Sequence, residues 1–386
     1  MVESRWLRWI GPGVVALGAV GLIASTTFGV GVRPWAPRAC AGPPMDRIAA
    51  AQGPGSTSLA DLRAVPWFRQ EPVLDGDGAL AGQRVSVGPA GGPAFGTLDL
   101  PAESFAAGPF GRVILVGTDD ARTSRLEAID VTAGCVRTVA LERSVIRRAT
   151  IDPAGAFVYE MRVDRVTRAD LGIWRRPIDG GAPALQVLGP LEPDGRFGRT
   201  FSTEFGWNAG GDRLAVQSCG ERACRTRVMA VRDGATVTVA SPDLGLLIGL
   251  DDVRLVTYAA CAGVPCPIIA TDLRTGRRHV VLPAGGPATI VVTPDGSRLI
   301  HEVDAATGRR LRAVSLDGGA ATDLGPIPDG LGLIDTAFAN GGTSRLPGGW
   351  ILLGPDARAK ANGTSRQTQL RHLPDGLTVP FDEVVR

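Results

Sequence analysis

Beyond about residue 100 the apolar residues fall in short runs, each closed by Gly, Pro, Asp or Asn. Runs of this length between turn residues predict strands, not helices. One pattern recurs: an apolar run, then Asp, then a Gly turn. It is seen at Leu126–Gly134, Ile173–Gly181, Val228–Gly234, Ile268–Gly276, Leu311–Gly319 and Leu370–Gly376. Asp-Gly and Thr-Gly supply the positive φ that tight hairpins need. Upstream of each lies a second pattern, a turn followed by an apolar run. Its clearest copy is Thr293-Pro294-Asp295-Gly296-Ser297-Arg298-Leu299-Ile300. Weaker copies begin near Pro109, Pro153, Gly210, Asp252 and Pro347.

These marks are 42 to 57 residues apart. Units of four short strands at about that period suit a β-propeller, in which each unit buries its faces only by stacking on its neighbours. The expected fold is therefore all-β: a six-bladed β-propeller, with seven blades as the alternative, preceded by one N-terminal transmembrane helix. The Pro-Asp-Gly-Ser-Arg-Leu motif, with the later Asp-x-x-Thr-Gly turn, resembles the TolB-type, WD-repeat-like β-propeller family. The resemblance spans roughly residues 100–386, with one copy near consensus and five degraded. It implies an architecture and a range of binding roles, with no single active site. It also implies that Arg84–Val87 or Thr97–Leu100 closes the ring by adding an outer strand to the last blade.

The N-terminal pattern differs. Ile10 to Val32 is an uncharged run rich in Val, Ala, Leu, Ile and Gly. As a helix it would reach about 35 Å, enough for a hydrocarbon core of about 30 Å. The domain reading is a short cytoplasmic N-terminus at 1–9, an anchor at 10–32, a Pro/Gly/Ala-rich linker or collar at 33–82, and the propeller at 83–386. Met45–Ala51 and Ser58–Ala64 carry short helical hints. A cleaved secretory signal is the alternative, with Ala39-Cys40-Ala41 as a cleavage-like site. Arg5 and Arg8 before the run nearly balance Arg33 and Arg38 after it, so charge alone does not orient the segment.

The cysteines supply the orientation. Four form two pairs of equal spacing, Cys219/Cys224 and Cys261/Cys266, each bracketing the turn of an expected hairpin. Across a hairpin, cysteines meet the separation a disulfide requires. The competing reading is a four-thiolate zinc site. Cys40 and Cys135 remain, and could tie the linker to the first repeat. Disulfides imply an oxidising compartment, hence a body on the extracytoplasmic side.

Composition adds mainly exclusions. Charges nearly cancel, 41 basic against 39 acidic, which argues against nucleic acid as a partner. There are three histidines and two tyrosines, little material for acid–base chemistry. No Walker A loop, Gly-x-Ser-x-Gly elbow or His-Glu-x-x-His motif occurs, and no cofactor or metal is expected. His279, His301 and His372 fall in different repeats at similar expected strand depths, which makes a three-histidine metal site in the central channel conceivable beside the plainer reading as ordinary strand or surface histidines. Asp75-Gly-Asp77-Gly78 lacks the later ligands of a calcium loop and reads as a turn. Trp174, Trp207 and Trp350 read as core. Asn362-Gly-Thr364 is a glycosylation sequon.

The loops joining second to third strands should share one face. They carry Arg122, Arg125, Arg162, Arg165, Arg168, Arg222, Arg225, Arg309, Arg310, Arg358, Lys360 and Arg366. Against these stand Asp119, Asp120, Asp164, Asp170, Glu221, Asp304 and Asp356. That surplus suggests a mildly basic docking face for a protein or an anionic envelope polymer. The functional reading is thus a membrane-anchored extracytoplasmic binding module for a protein, an envelope polymer or a ligand. The alternative is a propeller hydrolase or lyase with its site at the channel mouth.

Overall fold

The computed structural model describes residues 37–42, 44–46, 66–89, 96–110, 112–190, 202–208, 210–219, 224–231, 236–240, 244–259, 266–283, 290–292, 297–333, 350–355, 369–373 and 375–380. The expected membrane segment 10–32 and the hint at Ser58–Ala64 lie outside these residues. Among the described residues no helix is long and apolar enough to cross a membrane.

A two-residue strand, β1 (Arg38–Ala39), comes first. Sheet I holds β2 (Pro66–Leu74), β3 (Leu80–Pro89) and β4 (Gly96–Pro101). Sheet II holds β5 (Phe105–Phe110), β6 (Val113–Asp119), β7 (Ser124–Asp130) and β8 (Cys135–Glu142), with β1 added parallel outside β8. Sheet III holds β9 (Val145–Ile151), β10 (Phe157–Val163), β11 (Asp170–Pro177) and β12 (Leu185–Leu188). Sheet IV holds β13 (Ser202–Trp207), β14 (Arg213–Cys219), β15 (Cys224–Ala230) and β16 (Thr236–Ala240). Sheet V holds β17 (Leu244–Leu250), β18 (Arg254–Ala259), β19 (Ile268–Asp272) and β20 (Arg278–Leu282). Sheet VI holds β21 (Ile290–Val292), β22 (Arg298–Ala305), β23 (Gly308–Ser315) and β24 (Thr322–Pro326). Sheet VII holds β25 (Leu331–Leu333), β26 (Trp350–Pro355), β27 (Gln369–His372) and β28 (Thr378–Pro380).

Apart from β1, every sheet is an antiparallel meander in chain order. The six repeat marks fall at the passage from first to second strand of sheets II to VII, so the repeat reading holds for those units. Sheet I is an addition to it, beginning at Pro66, inside the stretch expected as linker. Arg84–Val87 and Thr97–Leu100 do not close the last sheet. They lie in β3 and β4, which pair with each other, and sheet VII is made of β25–β28. The reason is local: β2 supplies a nine-residue partner for β3 through the five-residue connection 75–79, a shorter closure than a pairing across the whole chain.

The core is divided among the sheet boundaries. Val85, Val87 and Leu100 of sheet I pack with Ile114, Val116 and Ile129 of sheet II. Leu115 and Leu126 pack with Ile151 and Val158 across II/III. Ala215 and Val228 meet Leu250 and Leu255 across IV/V, and Ile300 and Leu311 meet Leu331 and Leu353 across VI/VII. Sheets II to VI are therefore packed against a neighbour on both faces, as stacked units require.

The third-to-fourth turns explain the recurring Asp and Gly. Asp130 Oδ1 accepts from the backbone N–H of Thr132 and Ala133, at 2.9 and 3.0 Å. Asp272 does the same for Arg274 and Thr275. Gly134 and Gly276 follow at φ 61° and 69°, where a Cβ would be strained. The Asp75-Gly-Asp77-Gly78 segment is likewise a turn. Asp75 Oδ1 accepts from the N–H of Asp77 and Ala79, which commits that carboxylate to its own backbone.

Candidate functional site

In each meander the first-to-second and third-to-fourth turns lie at one end, and the second-to-third loops at the other. Contacts between sheets keep these ends in step. Asn208, in the first-to-second turn of sheet IV, donates to Asp252 in the same turn of sheet V at 2.7 Å. His279 Nε2 lies 2.6 Å from the carbonyl of Leu316, beside the third-to-fourth turn of sheet VI. At the opposite end, Arg165 in the β10–β11 loop reaches the β6–β7 loop of sheet II. Its guanidinium donates to both Asp119 carboxylate oxygens, at 2.5 and 3.2 Å, and to the Asp120 carbonyl at 2.5 Å. Its Nε donates to the Arg143 carbonyl at 3.0 Å. A bidentate guanidinium with four such bonds fixes the geometry of both loops.

That clamp shapes what the loop presents. Asp164 accepts from the N–H of Val166 and Thr167, at 3.0 and 2.7 Å. Arg168 completes the turn at φ 60°, a conformation uncommon for a residue with a Cβ. Asp120 mirrors this in the neighbouring loop, accepting from Thr123 and Arg122 N–H. Those backbone bonds, that of Thr123 foremost, hold the Asp120 carboxyl below the usual range, and Thr167 does so for Asp164. Both stay charged and engaged with their own turns. The tip residue, Val166, is 88% exposed.

The other expected docking residues divide. Arg162 is not on the surface. Its Nε and Nη2 donate to Glu160 at 2.9 and 2.5 Å, and Nη2 also reaches Glu142 at 3.1 Å. Its guanidinium lies 4.8 Å from the centre of the Trp174 ring. Arg176 Nε donates to Glu160 Oε1 at 2.6 Å, and its Nη2 bonds Glu142. Burial alone would lower the Arg176 guanidinium, but the two carboxylates outweigh it and raise it. Glu160 is wholly buried, so this quartet is an internal staple between sheets II and III. Arg309 binds Glu302 and the Leu331 carbonyl, and Arg310 binds Asp323. Arg122, Arg125 and Arg225 are exposed, Arg125 within 3.4 Å of Glu127. Arg222, Arg358, Lys360 and Arg366 lie outside the described residues. Among the described residues, Arg162, Arg165, Arg309 and Arg310 are thus engaged within the protein. The sequence count missed Glu142 and Glu160, which sit on strands.

The histidines do not share a depth. His279 is on an outermost strand, His301 on a second strand and His372 on a third. Among the described residues no group of three or more His, Cys, Asp or Glu could hold a metal ion. His301 is buried, with Nδ1 3.2 Å from the Glu302 carbonyl and Nε2 unpartnered. Trp207 is core, edge-on to Tyr159 at 5.3 Å, with its N–H on Thr150 Oγ1. Trp174 is half-buried, and the Trp350 side chain and the Asn362 sequon lie outside the described residues.

The cysteine pattern is clearer. Cys40 and Cys135 form a disulfide with Cα atoms 4.8 Å apart. Cys219 and Cys224 are direct partners across the β14–β15 hairpin. Cys266 is disulfide-bonded, which removes it from a four-thiolate zinc site. Cys261 lies outside the described residues.

No protein-family profile matches the chain, and no curated protein sequence matches it. Solved structures do. The chain is similar to one reported in a structural and mechanistic study of two prolyl endopeptidases, at 12% identity and TM-score 0.51, covering 98% of this chain and 56% of that one. It is similar to TolB from Acinetobacter baumannii at 11% identity and TM-score 0.41, covering 67% and 62%. It is also similar to the β-propeller domain of the Trilobed protease from Pyrococcus furiosus, at 12% and 0.46, covering 72% and 83%. The chain thus spans less than two thirds of the first two. These likenesses concern fold, and that fold is all-β and of the propeller type.

Proposed function

We propose that this chain is a binding module, anchored by residues 10–32 on the extracytoplasmic side of a membrane, that docks a protein partner on its second-to-third loops. Each of the seven sheets is one blade of the ring. The observation that carries the reading is the Arg165 clamp. It joins two neighbouring loops and holds Val166 out into solvent on a capped turn. A rigid loop bearing an exposed apolar tip loses little freedom on binding, which is what a docking surface needs. The Cys40–Cys135 bridge and the bonded Cys266 support an oxidising compartment.

The test is capture from intact cells with a membrane-impermeant crosslinker, followed by mass spectrometry. Wild type should yield a dominant partner. Val166→Asp should lose it, while Leu74→Asp, on the exposed sheet I hairpin, should keep it. Equal capture by both variants would remove Val166 from the interface. Failure to crosslink a folded, membrane-bound protein would place the body inside.

A further inference from the structure

We propose that the end of the body carrying the first-to-second and third-to-fourth turns faces the lipid bilayer, and that the docking loops are thereby held on the far side. This rests on the anchor reading above.

The argument begins with β1. It pairs with β8 in parallel, Arg38 beside Cys135 and Ala39 beside Val136. Arg38 N–H donates to the Gly134 carbonyl and Cys40 N–H to the Val136 carbonyl, at 3.3 and 3.0 Å. Because the pairing is parallel, the chain before Arg38 comes from the side of Gly134, which sits in the third-to-fourth turn of sheet II. The chain after it heads toward Glu142 and the docking end. The strap cannot slide, because the Cys40–Cys135 bond ties it to the same strand and Met45 is fully buried in the II/III core.

Length then decides the orientation. From Val32, the end of the apolar run, to Arg38 is six residue steps, at most about 22 Å of fully extended chain. From Cys135 to Glu142 along β8 is seven steps, about 23 Å. A tether leading to a bilayer at the docking end would be used up merely in reaching the level of Glu142. It would then still have to clear the Asp119–Arg125 and Val163–Asp170 loops beyond it. A bilayer at the turn end lies on the side from which the chain already arrives. The strap therefore acts as an orienting device: the parallel register sets the direction, and the disulfide and Met45 make it permanent.

The surface so assigned is the rim of turns around Thr132, Ala133, Pro153 and Ala154, all exposed. The occupant is the bilayer holding the anchor. No headgroup preference is implied, because the acidic residues of this rim, such as Asp130 and Asp272, are engaged with backbone N–H groups.

The experiment uses the full chain in vesicles of phosphatidylethanolamine and phosphatidylglycerol. A photo-crosslinking amino acid is placed at Ala133 in one preparation and at Val166 in another, and lipid adducts are counted by mass spectrometry. Adducts should be several-fold more abundant from Ala133. Inserting a long flexible Gly/Ser stretch between Val32 and Arg33 should abolish that preference without touching the fold, because the tether then reaches either end. Equal labelling from the two sites, or more from Val166, with protein that floats with the vesicles, would overturn the orientation while leaving the anchor intact. Protein that does not float with the vesicles would overturn the anchor reading and this inference together. Preference that survives the insertion would also overturn the tether argument.

Discussion

The boundary between sheets II and III and that between sheets IV and V solve the same problem with different chemistry. Both are apolar over most of their area, and both must satisfy polar groups exposed where a strand departs from regular pairing. At IV/V the register of β17 slips on either side of Leu247. The freed groups are met by one neutral side chain. Gln217 Oε1 accepts from Leu247 N–H at 2.7 Å, and its Nε2 donates to the Gly245 carbonyl and Thr226 Oγ1. At II/III the register of β10 on β9 slips between Met161 and Arg162. Ser124 Oγ takes the Ile146 N–H there, and beside it sits the charged quartet of Glu142, Glu160, Arg162 and Arg176. The amide shows that a bulged boundary can be satisfied without charge. The quartet therefore exceeds what satisfaction of the backbone requires. Its effect is to hold the outer end of β8 on the middle strands of the next sheet, next to the loops that Arg165 clamps.

The largest effect separating the two boundaries comes from breaking the quartet one-sidedly. Glu160→Gln leaves Arg162 and Arg176 buried with only the partly exposed Glu142 to compensate them. Removing one partner of such a buried group costs about 3–5 kcal/mol. Urea unfolding followed by circular dichroism measures it, and a loss under about 1 kcal/mol would mean that water reaches the site. Replacing Glu160, Arg162 and Arg176 together by Met sharpens the point. That triple variant should lie much closer to wild type, since the three buried charges then leave together and the remaining Glu142 is partly exposed to water.

The neutral boundary should respond less. Gln217→Leu removes three hydrogen bonds and leaves the Leu247 N–H buried without an acceptor, a loss of about 1–3 kcal/mol. Added salt should leave this difference unchanged, because no charge is involved. A loss equal to that of Glu160→Gln, by the same urea titration, would show that charge adds nothing to the II/III boundary.

The contrast also explains what could be read from the chain. The turns were legible because their causes are local: Asp272, Thr275 and Gly276 lie within one turn, so the spacing alone carries the geometry. Six four-stranded units followed from that. Sheet I was not legible, because Pro66 and Pro72 fall inside β2 and proline argues against a strand interior. Cys40–Cys135 stood out as the pair left over once the hairpin cysteines were set aside. The quartet was hidden because its members come from three strands in two sheets. One signal was present: Glu160 and Arg162 are two apart on a strand, hence on the same face, in an otherwise apolar run. Read that way, Arg162 belongs to a sheet boundary and not to a loop. Arg165 was counted as surface charge because its partner, Asp119, is 46 positions away.

The smallest expected effect lies at the boundary of sheets V and VI, where the polar group is titratable. His301 is buried on β22 with Nε2 unpartnered. Burial, helped by Arg312, holds its imidazole below the ordinary value of 6.5 against the opposing pull of the Glu302 carbonyl. The unfolded chain therefore takes up a proton first as the pH falls through 6.5, while the folded protein resists. Stability contributed by the neutral ring is complete above that value and is lost below it, by no more than about 1.4 kcal/mol per pH unit for one proton. Urea midpoints at about pH 7.5 and about pH 5.5 should fall further for wild type than for His301→Leu. Neither Gln217 nor its partners titrate in that range, so Gln217→Leu should keep the wild-type slope. If His301→Leu keeps it too, the imidazole gains a proton acceptor or solvent on protonation, and the V/VI boundary is as adaptable as its neutral neighbour.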